Sequence, residues 1–195
     1  MNVAEFVHSL NIVDVVIVLF LFAMFVLGYA SGAVRRLVGI ASVTFSFFLA
    51  AGLVQPLGEF LAHNWVQYPR EYSFMIGFLT VFGAASIALF LVIQTGYHKV
   101  ELLARWPIVD ELLGGIAGAT QGLLILLFVI MIMDTYFVIT PVVDADELPF
   151  LRDVWTALSG SQFGIQLHQA VIPTVVSLTS FLLPVSLTSL YPKGS

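Results

Sequence analysis

LLGGIAGATQGLLILLFVIMIM, residues 112–133, contains no charged side chain and is apolar over most of its length. A bilayer core about 30 Å thick is crossed by roughly 20 apolar residues in a helix that rises about 1.5 Å per residue. This stretch is therefore long enough to span a membrane. Three others of the same kind precede it, from about Ile12 to Ala30, Leu37 to Val54 and Tyr72 to Ile93, with short polar breaks between them. The chain reads as an all-α membrane protein with four transmembrane helices. Composition agrees: 59% of residues are hydrophobic and 10% charged, and the mean hydropathy is +1.02, whereas an ordinary soluble domain carries about a quarter charged residues.

The first run is N-terminal and could imitate a secretory signal. It lacks a basic leading region, its apolar core is too long, and Arg35 and Arg36 follow where small residues would mark cleavage, so it is retained as a span. The absence of cysteine excludes disulfides, thiolate metal sites and cysteine nucleophiles. A formal charge of -5 with only seven Lys plus Arg argues against nucleic acid as a partner, because phosphate binding needs a clustered basic surface.

Lysine and arginine near helix ends set orientation, since cytoplasmic loops carry the excess. Arg35 and Arg36 lie between spans one and two, and Lys99 and Arg105 between spans three and four, while the loop between spans two and three offers only Arg70. Both termini are then expected on the outer side, together with Glu59, Glu71, Asp144, Asp146, Glu147 and Asp153.

After Asp134 the chain becomes more polar. Between about Pro149 and Ser159, Phe150, Leu151, Val154, Trp155 and Leu158 recur at helical spacing opposite Arg152, Asp153 and Thr156, which predicts an amphipathic helix along the outer interface with Trp155 at headgroup depth. The segment from Phe163 to Leu190 is apolar but interrupted by Pro173 and Pro184. Each proline removes a backbone donor that lipid cannot replace. One or two short helices are expected there, a kinked fifth span being the alternative. The expected organisation is a bundle over residues 1–136 and an outer-side interfacial or partly embedded helical tail over 137–195.

Gly114, Gly118 and Gly122 repeat every four residues and so share one helix face, where a neighbouring backbone can approach closely. Gly28 and Gly32 repeat the pattern at the end of span one. Packing within the chain is the plain reading of these glycines, ahead of a homodimer seam or a conduction path. Asp14 and Asp110 fall in the first turns of their spans, where an acid stabilises the positive end of the helix dipole. Because Arg35 and Asp110 belong to the same membrane side, an ion pair between them is expected to join spans one and four. His8, His63, His98 and His168 sit in separate segments, no HExxH or GxSxG spacing occurs, and His98 with Glu101 reads as a solvated pair. No catalytic constellation, metal cluster or cofactor motif emerges.

Two motifs resemble the CvpA family, the colicin V production protein family of bacterial inner-membrane proteins. One is Asp14 followed by Gly28, Gly32, Val34 and Arg35; the other is Asp110, Leu113, Gly114, Gly118 and Gly122. The resemblance covers about Asn11 to Tyr136 well and the rest loosely. This chain departs from it at Glu111 and Gln121, where members often carry basic residues. The resemblance implies a multi-pass protein of the bacterial cytoplasmic membrane, linked to toxin production or export and envelope maintenance, with no established chemical activity. Related modules also anchor periplasmic serine-protease domains. The expected function is a non-enzymatic scaffold or accessory factor, needing no cofactor. Its expected partners are the bilayer and either a membrane protein or a second copy of itself. A small-solute transporter or channel, and an accessory subunit of a larger membrane complex, are the alternatives.

Overall fold

The computed structural model describes residues 11–96, 107–138, 149–179 and 183. Four long helices come first: α1 (Ile12–Ser31), α2 (Ala33–Asn64), α3 (Arg70–Gly96) and α4 (Pro107–Phe137). The tail follows as α5 (Pro149–Ser159), α6 (Gln162–Gln166), a π turn (Leu167–Val171) and α7 (Ile172–Thr179). No strand occurs among the described residues. Helices α1 to α4 are each long and apolar enough to cross a membrane, so the protein is an all-α membrane protein with four spans and a helical C-terminal region. His8, His98, Lys99, Glu101, Arg105, Asp144, Asp146, Glu147 and Pro184, named above, lie outside the described residues.

Local chemistry sets the helix ends. Asn11 and Asp14 form a capping box at the start of α1, in which the Asn11 backbone N–H donates to Asp14 Oδ2 at 2.9 Å and the Asn11 side chain accepts from the first turn. This satisfies donors that a helix start otherwise leaves open. Helix α1 stops at Gly32, whose φ of +80° is available to glycine without strain, and α2 begins at the next residue with no loop between. Helix α2 runs to Asn64, well past the expected end at Val54. Hydropathy reports the edge of the hydrocarbon, whereas a nucleated helix continues for as long as each added residue gains its hydrogen bond. At 32 residues and about 1.5 Å per residue, α2 is longer than a bilayer core is thick, which places its polar end beyond the hydrocarbon.

Helix α4 occupies the centre. Over its most apolar window 56% of it is buried, against 17% for α1 and for α3. It packs on α1 with one face and on α2 and α3 with others, while α1 makes little contact with α2 and scarcely any with α3. Between α2, α3 and α4 the interior is filled by aromatic rings. Phe47 stacks on Phe128 at 4.1 Å between centroids and on Phe78 at 5.5 Å, and Phe82 meets Phe47 and Phe128 edge-on. Stacked and edge-on pairs each add about 0.5–1.5 kcal/mol beyond the area they bury.

The tail folds back on the end of the bundle where α1 begins and α4 finishes. Asp153 and Thr156 face outward from α5 as expected, whereas the Arg152 guanidinium, expected beside them, lies 5.2 Å over the Phe137 ring, and Phe150 of the apolar face is exposed. Trp155 packs against the end of α4. Its ring stacks on Phe137 at 5.3 Å and its indole N–H donates to Asp134 Oδ1 at 2.8 Å, so its polar edge is used inside the protein. From Gln162 to Thr179 the chain is one helical path, widened at the π turn, where the Ile172 N–H reaches the Leu167 carbonyl. Widening the turn just before Pro173 accommodates a ring that would press on the preceding carbonyl in a regular helix.

Candidate functional site

Helices α1 and α4 run antiparallel in backbone contact. Gly28 lies against Gly114 and Gly118, Met24 against Gly118 and Gly122, and Gly32 against Gly114. A methyl group added at Gly114 would sit 2.6 Å from the Gly28 carbonyl oxygen and 2.7 Å from the Gly32 carbonyl carbon. At Gly118 it would collide with the Met24 carbonyl oxygen and stand 3.0 Å from Gly28 Cα. These neighbours are backbone atoms, which cannot rotate aside. Gly122 is looser, with only Met24 and Leu21 side-chain atoms at 3.0–3.3 Å. Gly115, which the four-residue repeat does not include, receives the ring edge of Phe25.

Asp14 and Asp110 take up parallel positions at opposite ends of this seam, and both are buried. Asp14 holds the α1 cap and also accepts the Phe163 N–H at 3.2 Å, so one carboxylate closes the N-termini of both α1 and α6. Asp110, in the first turn of α4, puts Oδ2 beside Gly32 at the start of α2, a helix with no side-chain cap. Its Oδ1 is buried without a hydrogen-bond partner.

The expected ion pair between Arg35 and Asp110 does not form. Arg35 makes no hydrogen bond or ion pair among the described residues, and the arginine that reaches α4 is Arg36. Its Nε donates to Ser31 Oγ at 3.0 Å and its Nη1 to Gln121 Oε1 at 3.1 Å. Adjacent residues on a helix point about 100° apart, so only one of two consecutive arginines can address the same neighbour. Gly39 makes room for that contact, since a methyl group there would stand 2.7 Å from Gln121 Oε1. Gly39 and Arg36 escaped the sequence reading as site residues. The faint signal was a glycine one turn beyond an arginine pair.

Beside the seam lies a cleft of about 530 Å³ with walls from all four spans. Arg35 and Arg36 stand in it together with Gln121, Ser31, Ser42 and Ser86, and the remainder is apolar, including Met24, Leu27, Val43, Ile87 and Phe90. The Ser86 hydroxyl oxygen is buried without a partner. Neither guanidinium meets a carboxylate among the described residues.

A second polar cluster closes the opposite end. Asp134, fully buried, accepts from the Trp155 indole at Oδ1 and faces His168 Nε2 at 2.9 Å through Oδ2. His168 Nδ1 lies 2.9 Å from the Gly164 carbonyl oxygen. A carbonyl and a carboxylate can only accept, so both ring nitrogens must donate to make both bonds, which is the imidazolium form. The hydrogen bond to Asp134 raises the His168 pKa above its ordinary value, partly offset by burial. Single polar residues far apart in the sequence gave no pattern to find, although a lone histidine in an apolar tail and an aspartate at the end of a span were visible signals.

Comparison with known proteins adds one positive finding: the sequence model of the family described as Colicin V production protein matches residues 13–153. No curated protein matches. No solved structure matches.

Proposed function

The chain belongs to the Colicin V production protein family, and on that premise we propose that it is a non-enzymatic scaffold or accessory factor in toxin production or export and in envelope maintenance. We place it in the bacterial cytoplasmic membrane with both termini on the outer side. The observation that carries the reading is the division of labour among the spans. Helix α4 lies in the interior from Gln121 to Phe137, while α1 turns Val15, Val16, Leu19 and Phe22 outward and α3 turns Ile87, Phe90, Leu91 and Val92 outward. Such faces suit lipid or another membrane helix. The stacked rings of Phe47, Phe78 and Phe128 fill the middle of the α2–α3–α4 interior, which speaks against a water-filled path there.

Photoreactive residues at Phe22 and Phe90 test the reading in native membranes. A defined protein partner captured from either face is the expected result. Lipid adducts alone, accompanied by solute flux in proteoliposomes of the purified chain, would replace the scaffold reading with a transporter. Because the natural chain has no cysteine, single cysteines introduced at exposed Val66 and Ile108 test orientation. Labelling of Val66→Cys, but not Ile108→Cys, by an impermeant reagent added from outside is expected.

A further inference from the structure

We propose that the cleft beside the α1–α4 seam is a binding site for one anionic glycerophospholipid, its phosphate on Arg35 and Arg36 and an acyl chain along Leu27, Ile87 and Phe90. The proposal is independent of the scaffold role.

Four observations converge. The cleft, at about 530 Å³, falls within the roughly 300–1,000 Å³ that small-molecule sites occupy. Its charged groups are of one sign: Arg36 is held by the neutral acceptors Ser31 and Gln121, and Arg35 makes no hydrogen bond or ion pair among the described residues. Arginine presents several N–H donors in a planar fork that matches phosphate oxygens, and two adjacent guanidiniums without a carboxylate complement an anion. Ser86 adds a buried hydroxyl without a partner on the facing wall. Finally, α1 and α3 scarcely touch, and Leu27, Ile87 and Phe90 at the rim are exposed.

Those features select an amphiphile over a free anion. The arginines lie at the end of the bundle where α1 gives way to α2, the level at which a span leaves hydrocarbon for headgroups. The apolar wall continues from them along α1 and α3. Gly39 keeps Gln121 tucked against α2, which fixes Arg36 in place before any ligand arrives. Fixing the donor beforehand lowers the ordering cost of binding.

Native mass spectrometry of the full chain in a neutral detergent tests this, with phosphatidylglycerol, phosphatidylcholine of the same acyl chains, and inorganic phosphate as probes. Saturable binding of one phosphatidylglycerol per chain, at least tenfold tighter than phosphatidylcholine, is expected. Arg35→Gln should weaken it about fivefold and the double Arg35→Gln/Arg36→Gln variant about 25-fold, at roughly a fivefold loss per arginine. Arg35→Lys should retain most of it. Ser86→Leu, which fills the cleft from the opposite wall and leaves both charges in place, should also displace the lipid. Circular dichroism melting of each variant checks the fold, and Arg35→Gln removes no bond seen among the described residues. Equal binding of the two lipids would overturn the proposal by showing an annular lipid only. Unchanged phosphatidylglycerol binding in the double variant would overturn it too. So would inorganic phosphate raising the melting temperature as much as the lipid does, since the acyl chain would then contribute nothing.

Discussion

The two ends of the bundle hold themselves together by different means. Where α1 starts and α4 finishes, side chains do the joining: Asp14 accepts from Asn11 and Phe163, and Asp134 binds Trp155 and His168. Each bond ties the tail or a helix start to the bundle. Where α1 finishes and α4 starts, backbone meets backbone through glycines, while Asp110 Oδ1 and Ser86 Oγ are buried without partners and Arg35 stands in an open cleft. Unpaired buried oxygens are not confined to this end, since Ser73 Oγ at the start of α3 is also buried without a hydrogen-bond partner; what sets this end apart is the cleft with its two arginines. One end is sealed and the other is ready to receive.

The sharpest way to break this contrast is Gly118→Leu. The neighbours of Gly118 are the Met24 carbonyl and Gly28 Cα, so α1 must move bodily away from α4. Overpacking usually costs about 1–3 kcal/mol, and a clash with rigid backbone belongs at or above the top of that range. Loss of folded protein in membranes is the expected outcome, with Gly52→Leu as the matched control, since nothing lies within 4 Å of Gly52 in the direction its side chain would take. Normal accumulation of Gly118→Leu would remove the glycine seam as the means of assembly.

At the sealed end, Asp134→Ala leaves the Trp155 indole and His168 without their carboxylate. Hydrogen bonds to a charged group are worth about 1.5–3 kcal/mol each, and His168 recovers part of that by reaching solvent. Release of the tail, read as faster proteolysis between α4 and α5 together with a change in Trp155 fluorescence, is expected while α1 to α4 remain folded. The same junction carries a pH dependence whose sign is fixed. His168 is raised above its ordinary pKa of 6.5, chiefly by Asp134, so the stabilisation is fully present below that ordinary value and is lost as pH rises through the raised one. Tail proteolysis should accelerate with increasing pH across that window, and His168→Gln should flatten the profile. A profile that accelerates on acidification would contradict the imidazolium assignment.

How much of this contrast the sequence discloses depends on how far apart its members lie. The four-residue repeat puts Gly114, Gly118 and Gly122 on one face because helical period is a local property, and the structure lays α1 along that face. The hydropathy runs disclose four spans but not the end of α2, because apolarity tracks lipid and helix propagation does not. Arg35 and Asp110 share a level at the bundle end, which spacing can indicate; which of two adjacent arginines turns toward α4 depends on the rotation of α2, which spacing does not carry. Asp134, Trp155 and His168 come together only through the fold-back of the tail. No periodic signal links positions 134, 155 and 168.

The smallest expected effect tests the contrast most finely, because it compares one residue type in one local setting at both ends. Asp14→Asn and Asp110→Asn each replace a buried first-turn carboxylate by an amide of the same shape. Asp14 uses both oxygens, for the Asn11 and Phe163 N–H groups, and an amide can accept with only one. The substitution turns an NH2 group toward one of those donors, which should cost about 1.5–3 kcal/mol. Asp110 forms no comparable bond. Its charge gains from the positive end of its own helix and from that of α2, about 0.3–1 kcal/mol for each, whereas a buried acceptor without a partner costs about 1–3 kcal/mol. These contributions oppose each other, so Asp110→Asn should change stability by less than about 1 kcal/mol in either direction. Paired denaturation curves in one detergent would decide between the two ends. If Asp110→Asn destabilised the chain as much as Asp14→Asn, Asp110 would be a structural cap like its counterpart, and the open end would differ from the sealed end only in its cleft.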